Sequence, residues 1–173
     1  MNTLQEKISN DLEKGFLSEN ALMKLMINEG YVCYKANEYQ DRFEHWDFAI
    51  KENDKFIRID VKSNKKSNSD GYTWIEFKNV LGHNGWIVSE FMDTIAFEKE
   101  DCFELINRSE LYTFIVEKIK NADLEDACGD IIYCSVDNLK YYRKYSRVGR
   151  NDLVVKAPLD DFKHLIYKTI YKK

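Results

Sequence analysis

Residues 56–62 read FIRIDVK, and this stretch decides the fold of the chain. Aliphatic side chains alternate with charged ones, and a period of two predicts a β-strand with one apolar face. The upstream run WDFAI, residues 46–50, is a second apolar strand, and the KENDK run between them is a turn. An antiparallel hairpin of these strands would bring Asp47 to the same region as Asp60 and Lys62, which share one strand face.

The pattern outside this hairpin predicts a mixed α/β (α+β) fold, with helices flanking one central mixed sheet. Residues 18–29 have helical spacing, with Ser18 as the N-cap and Gly30 as the stop, and Leu4 to Lys14 is a separate short helix before Gly15. Further strands are predicted at 31–34, 72–80, 94–97, 103–106, 131–134 and 153–155, and further helices at 108–119 and 159–171.

Length and composition indicate a single domain over residues 1–173, with a core over about 18–120 and a basic C-terminal extension over about 121–173. The net charge of −4 excludes a polybasic protein, so contacts with nucleic acid have to come from local patches. No apolar run is long enough to cross a membrane, and the four cysteines stand singly. We therefore expect a cytoplasmic protein with reduced thiols and no membrane contact.

The acids in the two strands are the residues that indicate chemistry. Asp47 and Asp60 stand inside apolar strands, where an ionised side chain is costly without a partner or a task. Two facing carboxylates repel unless a cation lies between them, and Mg²⁺ or Mn²⁺ takes oxygen ligands of this kind. Lys62 beside such a cation would orient water or stabilise negative charge on a phosphate. The alternative is a surface ion pair of Asp60 and Lys62, with Asp47 in a turn.

The order of these residues resembles the PD-(D/E)xK nuclease superfamily, most closely the archaeal Holliday-junction-resolvase branch and its phage-encoded relatives. The matching runs are SENALMKLMINEGYV, WDFAI and IDVKS. The resemblance implies that Glu19, Asp47 and Asp60 bind the metal and that Lys62 is the catalytic lysine. Trp46 stands where the family has its proline, and the second acid is Asp rather than the more usual Glu. A second role for Glu19 is open, because an acid in a first helical turn also serves the helix dipole.

The resemblance also implies a restriction-endonuclease-like core and a Mg²⁺- or Mn²⁺-dependent nuclease that hydrolyses DNA phosphodiester bonds. It favours an endonuclease over an exonuclease, a branched or structured DNA substrate, and a homodimer that makes two symmetric cuts. The second hypothesis is an inactive nuclease-like module that binds nucleic acid or protein in a phage or defence setting. The two differ in their response to Mg²⁺, which only the enzyme requires. Motifs of serine hydrolases, P-loop enzymes and zincins do not occur in the sequence.

Other charged residues are secondary candidates. Glu76 and Lys78 form a second E-x-K, on a strand that we expect to neighbour the first in one sheet. Lys65 and Lys66 follow the D-x-K strand and are placed to hold the DNA backbone beside the cut. Five basic residues without an acid, interleaved with tyrosines, form a further phosphate-binding candidate or an ordinary solvated loop: Lys140, Arg143, Lys144, Arg147 and Arg150.

Overall fold

The computed structural model describes residues 4–63, 71–121, 130–131, 139–146 and 149–172. The helices are α1 (Leu4–Asn28) and α2 (Arg108–Asn121). The strands are β1 (Cys33–Lys35), β2 (Phe48–Glu52), β3 (Lys55–Lys62), β4 (Tyr72–Lys78), β5 (Thr94–Glu98), β6 (Cys102–Asn107), β7 (Asp130–Ile131), β8 (Lys144–Ser146), β9 (Leu153–Pro158) and β10 (Ile166–Tyr171). Short irregular helices are a π-helical turn at Gln40–Glu44 and 3₁₀ helices at Trp86–Val88 and Leu159–Leu165.

The strands form two sheets. The larger has six strands in the order β1-β2-β3-β5-β6-β10, in which β3 and β5 are parallel and the other neighbours antiparallel. The smaller has four strands in the order β4-β9-β8-β7. The mixed α/β fold with a central mixed sheet flanked by helices is therefore as predicted. None of the helices in the described ranges is long and apolar enough to cross a membrane.

The predicted β2–β3 hairpin is confirmed, and its turn sets its register. Asn53 and Asp54 have φ values of 47° and 63°, the left-handed pair that a two-residue hairpin turn requires. Glu52 then faces Lys55, and the ladder continues until Phe48 faces Ile59. Asp47 is the next residue beyond the ladder on its own strand, so it arrives opposite the end of β3.

The six-stranded sheet buries both faces. On one face, α1 contributes Leu22 and Met26 to a cluster that also contains Phe48, Ile59 and Val61. On the other face lies a cluster built from α2, the smaller sheet and the segment after β4. It includes Ile75, Trp86, Ile95, Leu111, Ile115, Val155 and Phe162. The central sheet thus lies between α1 on one side and α2 with the smaller sheet on the other.

The prediction of two N-terminal helices is wrong, because α1 is continuous from Leu4 to Asn28. Ser18 lies inside this helix rather than at its N-cap. Its hydroxyl oxygen lies 3.0 Å from Lys14 O and 2.5 Å from Glu98 Oε2, and its single hydrogen has both oxygens as acceptors within reach. Because these two acceptors satisfy the hydroxyl, a residue typical of helix ends is tolerated in the middle of α1. Glu19 is consequently a mid-helix residue, and an N-terminal dipole role does not apply to it.

The predicted helix at 159–171 is also wrong. Residues 159–165 are a 3₁₀ helix, and Ile166–Tyr171 is β10, which pairs with β6 at the edge of the larger sheet. Ile170 is buried there opposite Phe103. Pairing with a sheet edge overrides the helical spacing because β-branched and aromatic side chains fit a pleated surface well. The β6–β10 pairing places residues of the predicted C-terminal extension in the larger sheet, and the β4–β9 pairing places others in the smaller sheet.

Replacing Leu22 with alanine is expected to lower the free energy of unfolding by about 2–5 kcal/mol, because it leaves a cavity under the sheet. Leu22 is fully buried, whereas Leu12 on the same helix is 71% exposed. The control, Leu12→Ala, should change stability by no more than about 0.5 kcal/mol. Urea unfolding followed by circular dichroism measures both, and equal losses would contradict the packing of α1 described above.

Candidate active site

The β2–β3 hairpin places Asp47 against the last residues of β3. The backbone N–H of Asp47 donates to Ile59 O at 2.8 Å. The Asp47 carboxylate accepts from the N–H of Val61 through Oδ2 at 2.6 Å. A carboxylate held by a backbone donor on a paired strand has a fixed position, so Asp47 is aimed at the segment that carries Asp60 and Lys62.

Asp60 and Lys62 point away from the α1 side of the sheet, as the alternation predicts. Asp60 is only 6% exposed, and its Oδ2 lies 2.6 Å from Lys62 Nζ. The angles of this ion pair are not those of a hydrogen bond, so Asp60 Oδ2 is enclosed without a hydrogen-bond donor. The Lys62 ammonium also lies 4.8 Å from the centroid of the Trp86 ring. The lysine is therefore held between a buried carboxylate and an aromatic face, so the ion pair of the alternative is present but Asp60 is buried rather than on a solvated face.

Glu19 reaches the same site from α1. Its carboxylate lies 3.8 Å from Lys35 Nζ on β1, and its side chain is 25% exposed. Burial raises the pKa of Glu19, Lys35 lowers it, and the negative charges of Asp41 and Asp60 raise it again. The predicted helix acid is thus brought within electrostatic range of Asp60, with Lys35 as a neutralising partner.

Asp41 is a fourth acid at the site, and the sequence analysis missed it. It lies in the π-helical turn before β2, and its side chain is exposed. Partial desolvation and then the charge of Asp60 raise its pKa, while Lys62, His45 and Lys35 act in the opposite direction. The segment around it has neither strand nor helix periodicity, so no local pattern marks Asp41. The charge run of the loop was the only signal in the sequence.

Asp47 has a strongly raised pKa within this group of acids. Burial is the largest cause, and with the charges of Asp60 and Glu19 it raises the pKa of Asp47 to about 8. The Val61 N–H and the Lys62 ammonium oppose the shift without cancelling it. The negative charge of the carboxylates therefore exceeds the positive charge of the nearby lysines. Binding a proton or a further cation reduces the repulsion between the carboxylates.

The donor set suits a hard divalent cation. Carboxylate oxygens are the ligands of Mg²⁺ and Mn²⁺, and Asp60 Oδ2 is an enclosed acceptor without a hydrogen bond. Among the residues that the structure describes, no group of three or more His, Cys, Asp or Glu side chains is placed so that it could hold a metal ion. The acids fit a divalent cation in ligand type and in charge. The Lys62 ammonium already pairs with Asp60, however, and would compete with the cation for that carboxylate.

The secondary E-x-K is not on a neighbouring strand of the same sheet. Glu76 and Lys78 belong to β4 in the smaller sheet, whereas the neighbours of β3 are β2 and β5. That expectation is wrong because the chain leaves the larger sheet after β3 and returns to it only with β5. β4 approaches the site indirectly, through Trp86 in the segment that follows it.

The basic candidates are only partly described. Lys65, Lys66 and Arg147 lie outside the described residues. Lys140 and Arg150 are exposed, and Lys144 on β8 is half-buried. Arg143 is half-buried as well, and its Nη1 is enclosed without a hydrogen-bond acceptor. The described members therefore lie on β8 of the smaller sheet and in the segments on either side of it.

No protein-family model matches the chain, and no curated protein matches it in sequence. Among solved structures, the bacterial homing endonuclease I-Ssp6803I is similar to this chain, with a TM-score of 0.46 and 17% sequence identity. The match covers 58% of this chain and 70% of that one. A likeness this distant assigns neither an activity nor a site residue to the chain.

The raised pKa of Asp47 predicts a pH-dependent stability in the absence of divalent cations. In the unfolded chain Asp47 ionises near pH 4, whereas in the folded chain it keeps its proton to about pH 8. The folded state therefore binds more protons, and its stability falls as pH rises through this window. Asp47→Asn cannot ionise, and its side-chain oxygen can still accept from Val61.

The melting temperature of the wild type relative to Asp47→Asn should accordingly decline from about pH 5 to about pH 8, measured with a chelator present. Adding Mg²⁺ at the upper end should raise the melting temperature of the wild type more than that of the variant, because a bound cation stabilises the ionised group. If the melting temperatures of the two proteins change with pH in parallel, Asp47 does not have the raised pKa described above.

Proposed function

We propose that the chain is a metal-dependent endonuclease of the PD-(D/E)xK type that hydrolyses DNA. One observation carries the proposal: the buried Asp60 carboxylate lies 2.6 Å from the Lys62 ammonium, and the Val61 N–H between them in sequence holds the Asp47 carboxylate at 2.6 Å. A carboxylate group of this kind beside a lysine is the arrangement that phosphodiester hydrolysis needs, because it combines cation ligands with a positive charge for the phosphate.

Glu19, Asp47 and Asp60 are the residues that would hold Mg²⁺ or Mn²⁺. When bound, the cation would supply Lewis-acid stabilisation of the charge that develops on the phosphate and would make a bound water more acidic. Lys62 supplies a donor and a positive charge beside these acids. Its position is set by Asp60 on one side and the Trp86 ring on the other.

The chain's other residues position the acids. Lys35 holds the Glu19 carboxylate near β1, and the Val61 N–H holds Asp47. Asp41 adds carboxylate charge on the side of the π-helical turn. Water attack on phosphorus breaks the bond to the 3′ oxygen, which leaves with a proton, so the products are a 3′-hydroxyl and a 5′-phosphate, as in the family that the sequence resembles.

The finer parts of the proposal concern substrate and setting. Branched or structured DNA is the proposed substrate, and a homodimer would supply two sites for two cuts. Lys65 and Lys66 directly follow β3 in the sequence and are proposed to contact the DNA backbone. A cytoplasmic location completes the proposal, in keeping with free thiols at Cys33 and Cys102. A phage or defence setting belongs to the alternative, the inactive binding module.

Asp60→Asn and Lys62→Ala should each reduce DNA cleavage by at least about a hundredfold, because each removes part of a contribution worth several kcal/mol. Cleavage of labelled linear, flapped and four-way DNA is measured with Mg²⁺, with Mn²⁺ and with EDTA. Asp54→Asn and Lys51→Ala are matched controls, since these residues form a 3.0 Å ion pair at the opposite end of the same hairpin. Both controls should cleave at the wild-type rate.

Glu19→Gln should weaken cleavage and raise the Mg²⁺ concentration required for it. Three results would contradict the assignment. Cleavage that EDTA does not stop excludes the metal mechanism. Full activity of Asp60→Asn would make Glu76 and Lys78 the better candidates for the active site. DNA binding without any cleavage would support the inactive binding module.

The basic cluster is tested by binding. Lys140→Ala combined with Lys144→Ala should weaken DNA binding, and should flatten the plot of log affinity against log salt by about one unit per lost phosphate contact. Fluorescence anisotropy in Ca²⁺ measures this without cleavage. Lys51→Ala combined with Lys163→Ala is the control, as both lysines are exposed and paired with local aspartates. Equal salt slopes for the two double variants would remove the cluster from the interface.

A further inference from the structure

Two short loops stand side by side at the rim of the carboxylate site. The 37–45 loop contains the π-helical turn and ends two residues before Asp47. The 79–85 loop follows β4 and ends directly before Trp86, whose ring lies against Lys62. Each loop is therefore tied through the chain to one side of the proposed active site.

Both loops are held by their own hydrogen bonds. In the first, the N–H of Asn37 donates to Gln40 Oε1 at 2.9 Å, and the N–H of Gln40 donates back to Asn37 Oδ1 at 3.0 Å. In the second, Asn79 Oδ1 accepts from the N–H groups of Leu81 and His83 at 3.0 and 3.1 Å. These hydrogen bonds hold the backbone of each loop in its turn conformation.

A direct contact joins the two loops. His45 Nε2 donates to Asn84 O at 2.8 Å. His45 has φ 60° and ψ 48°, a left-handed conformation that few residues other than glycine adopt. Local strain of this kind persists where the surroundings hold it, and here it ends the π-helical turn and aims the imidazole at the opposite loop.

Between the loops lies a cleft of about 410 Å³. It is lined by Arg42, Phe43, His45, Gly82, His83 and Asn84. None of these lining residues is acidic, although the chain as a whole has a net charge of −4. Arg42 pairs with Glu38 at 3.2 Å, but both side chains are largely exposed, and such a pair is weak enough to yield to a phosphate.

The rim of the cleft is unusually apolar for a surface. Phe43 is 54% exposed, and Tyr39 beside it is 64% exposed, with ring centroids 5.1 Å apart. Leu81 at the tip of the opposite loop is 68% exposed. Rings left in water beside basic side chains form the kind of platform on which nucleobases stack.

Resting on the nuclease function proposed above, we propose that this cleft binds one unpaired nucleotide next to the scissile phosphate. Phe43 stacks on its base, and Arg42 with His83 contacts its phosphate. In a continuous duplex both faces of each base are covered by neighbouring bases. A protein ring therefore stacks without an unstacking cost on a base that is single-stranded, flipped out or at a branch point, whereas in a duplex it would first have to open a base step. The substrate class that follows is DNA with unpaired nucleotides beside the cut.

The test compares a duplex carrying a single-stranded flap with a fully paired duplex, both fluorescently labelled and bound in Ca²⁺. Phe43→Ala should weaken binding of the flapped DNA about tenfold, which corresponds to about 1.4 kcal/mol for one lost stack. Binding of the paired duplex should change much less, and Phe43→Trp should restore the flap preference. A 2-aminopurine in the flap should lose fluorescence on binding the wild type but not Phe43→Ala.

Phe56→Ala is the matched control. Phe56 is 50% exposed and packs at 5.3 Å on the exposed Tyr34 ring, but it lies at the start of β3, away from Asp60. The Phe56→Ala variant should bind both DNAs as tightly as the wild type does. Equal losses on both DNAs with Phe43→Ala, or no loss on either, would overturn the cleft proposal. Cleavage is followed separately in Mg²⁺, and its complete absence would contradict the nuclease function while the binding contrast still decides the cleft.

Discussion

The register of the β2–β3 hairpin is the constraint on which the rest of the structure depends. Its turn uses two residues with positive φ, so the pairing cannot slide without breaking the turn. Side chains alternate along a strand, and a slip of one residue would send Asp60 and Lys62 toward α1 and Ile59 and Val61 toward the opposite face. The packing of α1 against Ile59 and Val61 therefore also determines where the acids point.

The charge balance of the site follows from this register. Four carboxylates, Glu19, Asp41, Asp47 and Asp60, act on one another while two lysines lie among them. Lys62 neutralises Asp60 and Lys35 partly neutralises Glu19, which leaves negative charge on a half-buried group. A site of this kind is electrostatically costly until a proton or a cation is added, and acids with perturbed pKa values are enriched at functional sites in proteins, which supports the proposed site.

The smaller sheet contributes a wall of the site rather than a second centre. The segment after β4 returns toward the larger sheet through a tight approach at Gly85, where any Cβ would lie 2.3 Å from Glu76 O. Only glycine permits this contact, and it brings the Trp86 ring against Lys62. The same return presents the 79–85 loop beside the 37–45 loop. Gly85 therefore affects both the position of Lys62, through the Trp86 ring, and the shape of the cleft.

The sequence by itself determined the hairpin, the mixed α/β class and the shared strand face of Asp60 and Lys62, because these follow from a period of two and a short turn. Glu19 was proposed only through the resemblance of the sequence to a nuclease superfamily. Only the tertiary structure decided that α1 is continuous, that residues 166–171 pair with β6, and that β4 belongs to another sheet. Partners distant in sequence make those choices, and local spacing does not record them. For the same reason Asp41, Lys35 and Trp86 entered the site only when the chain was folded.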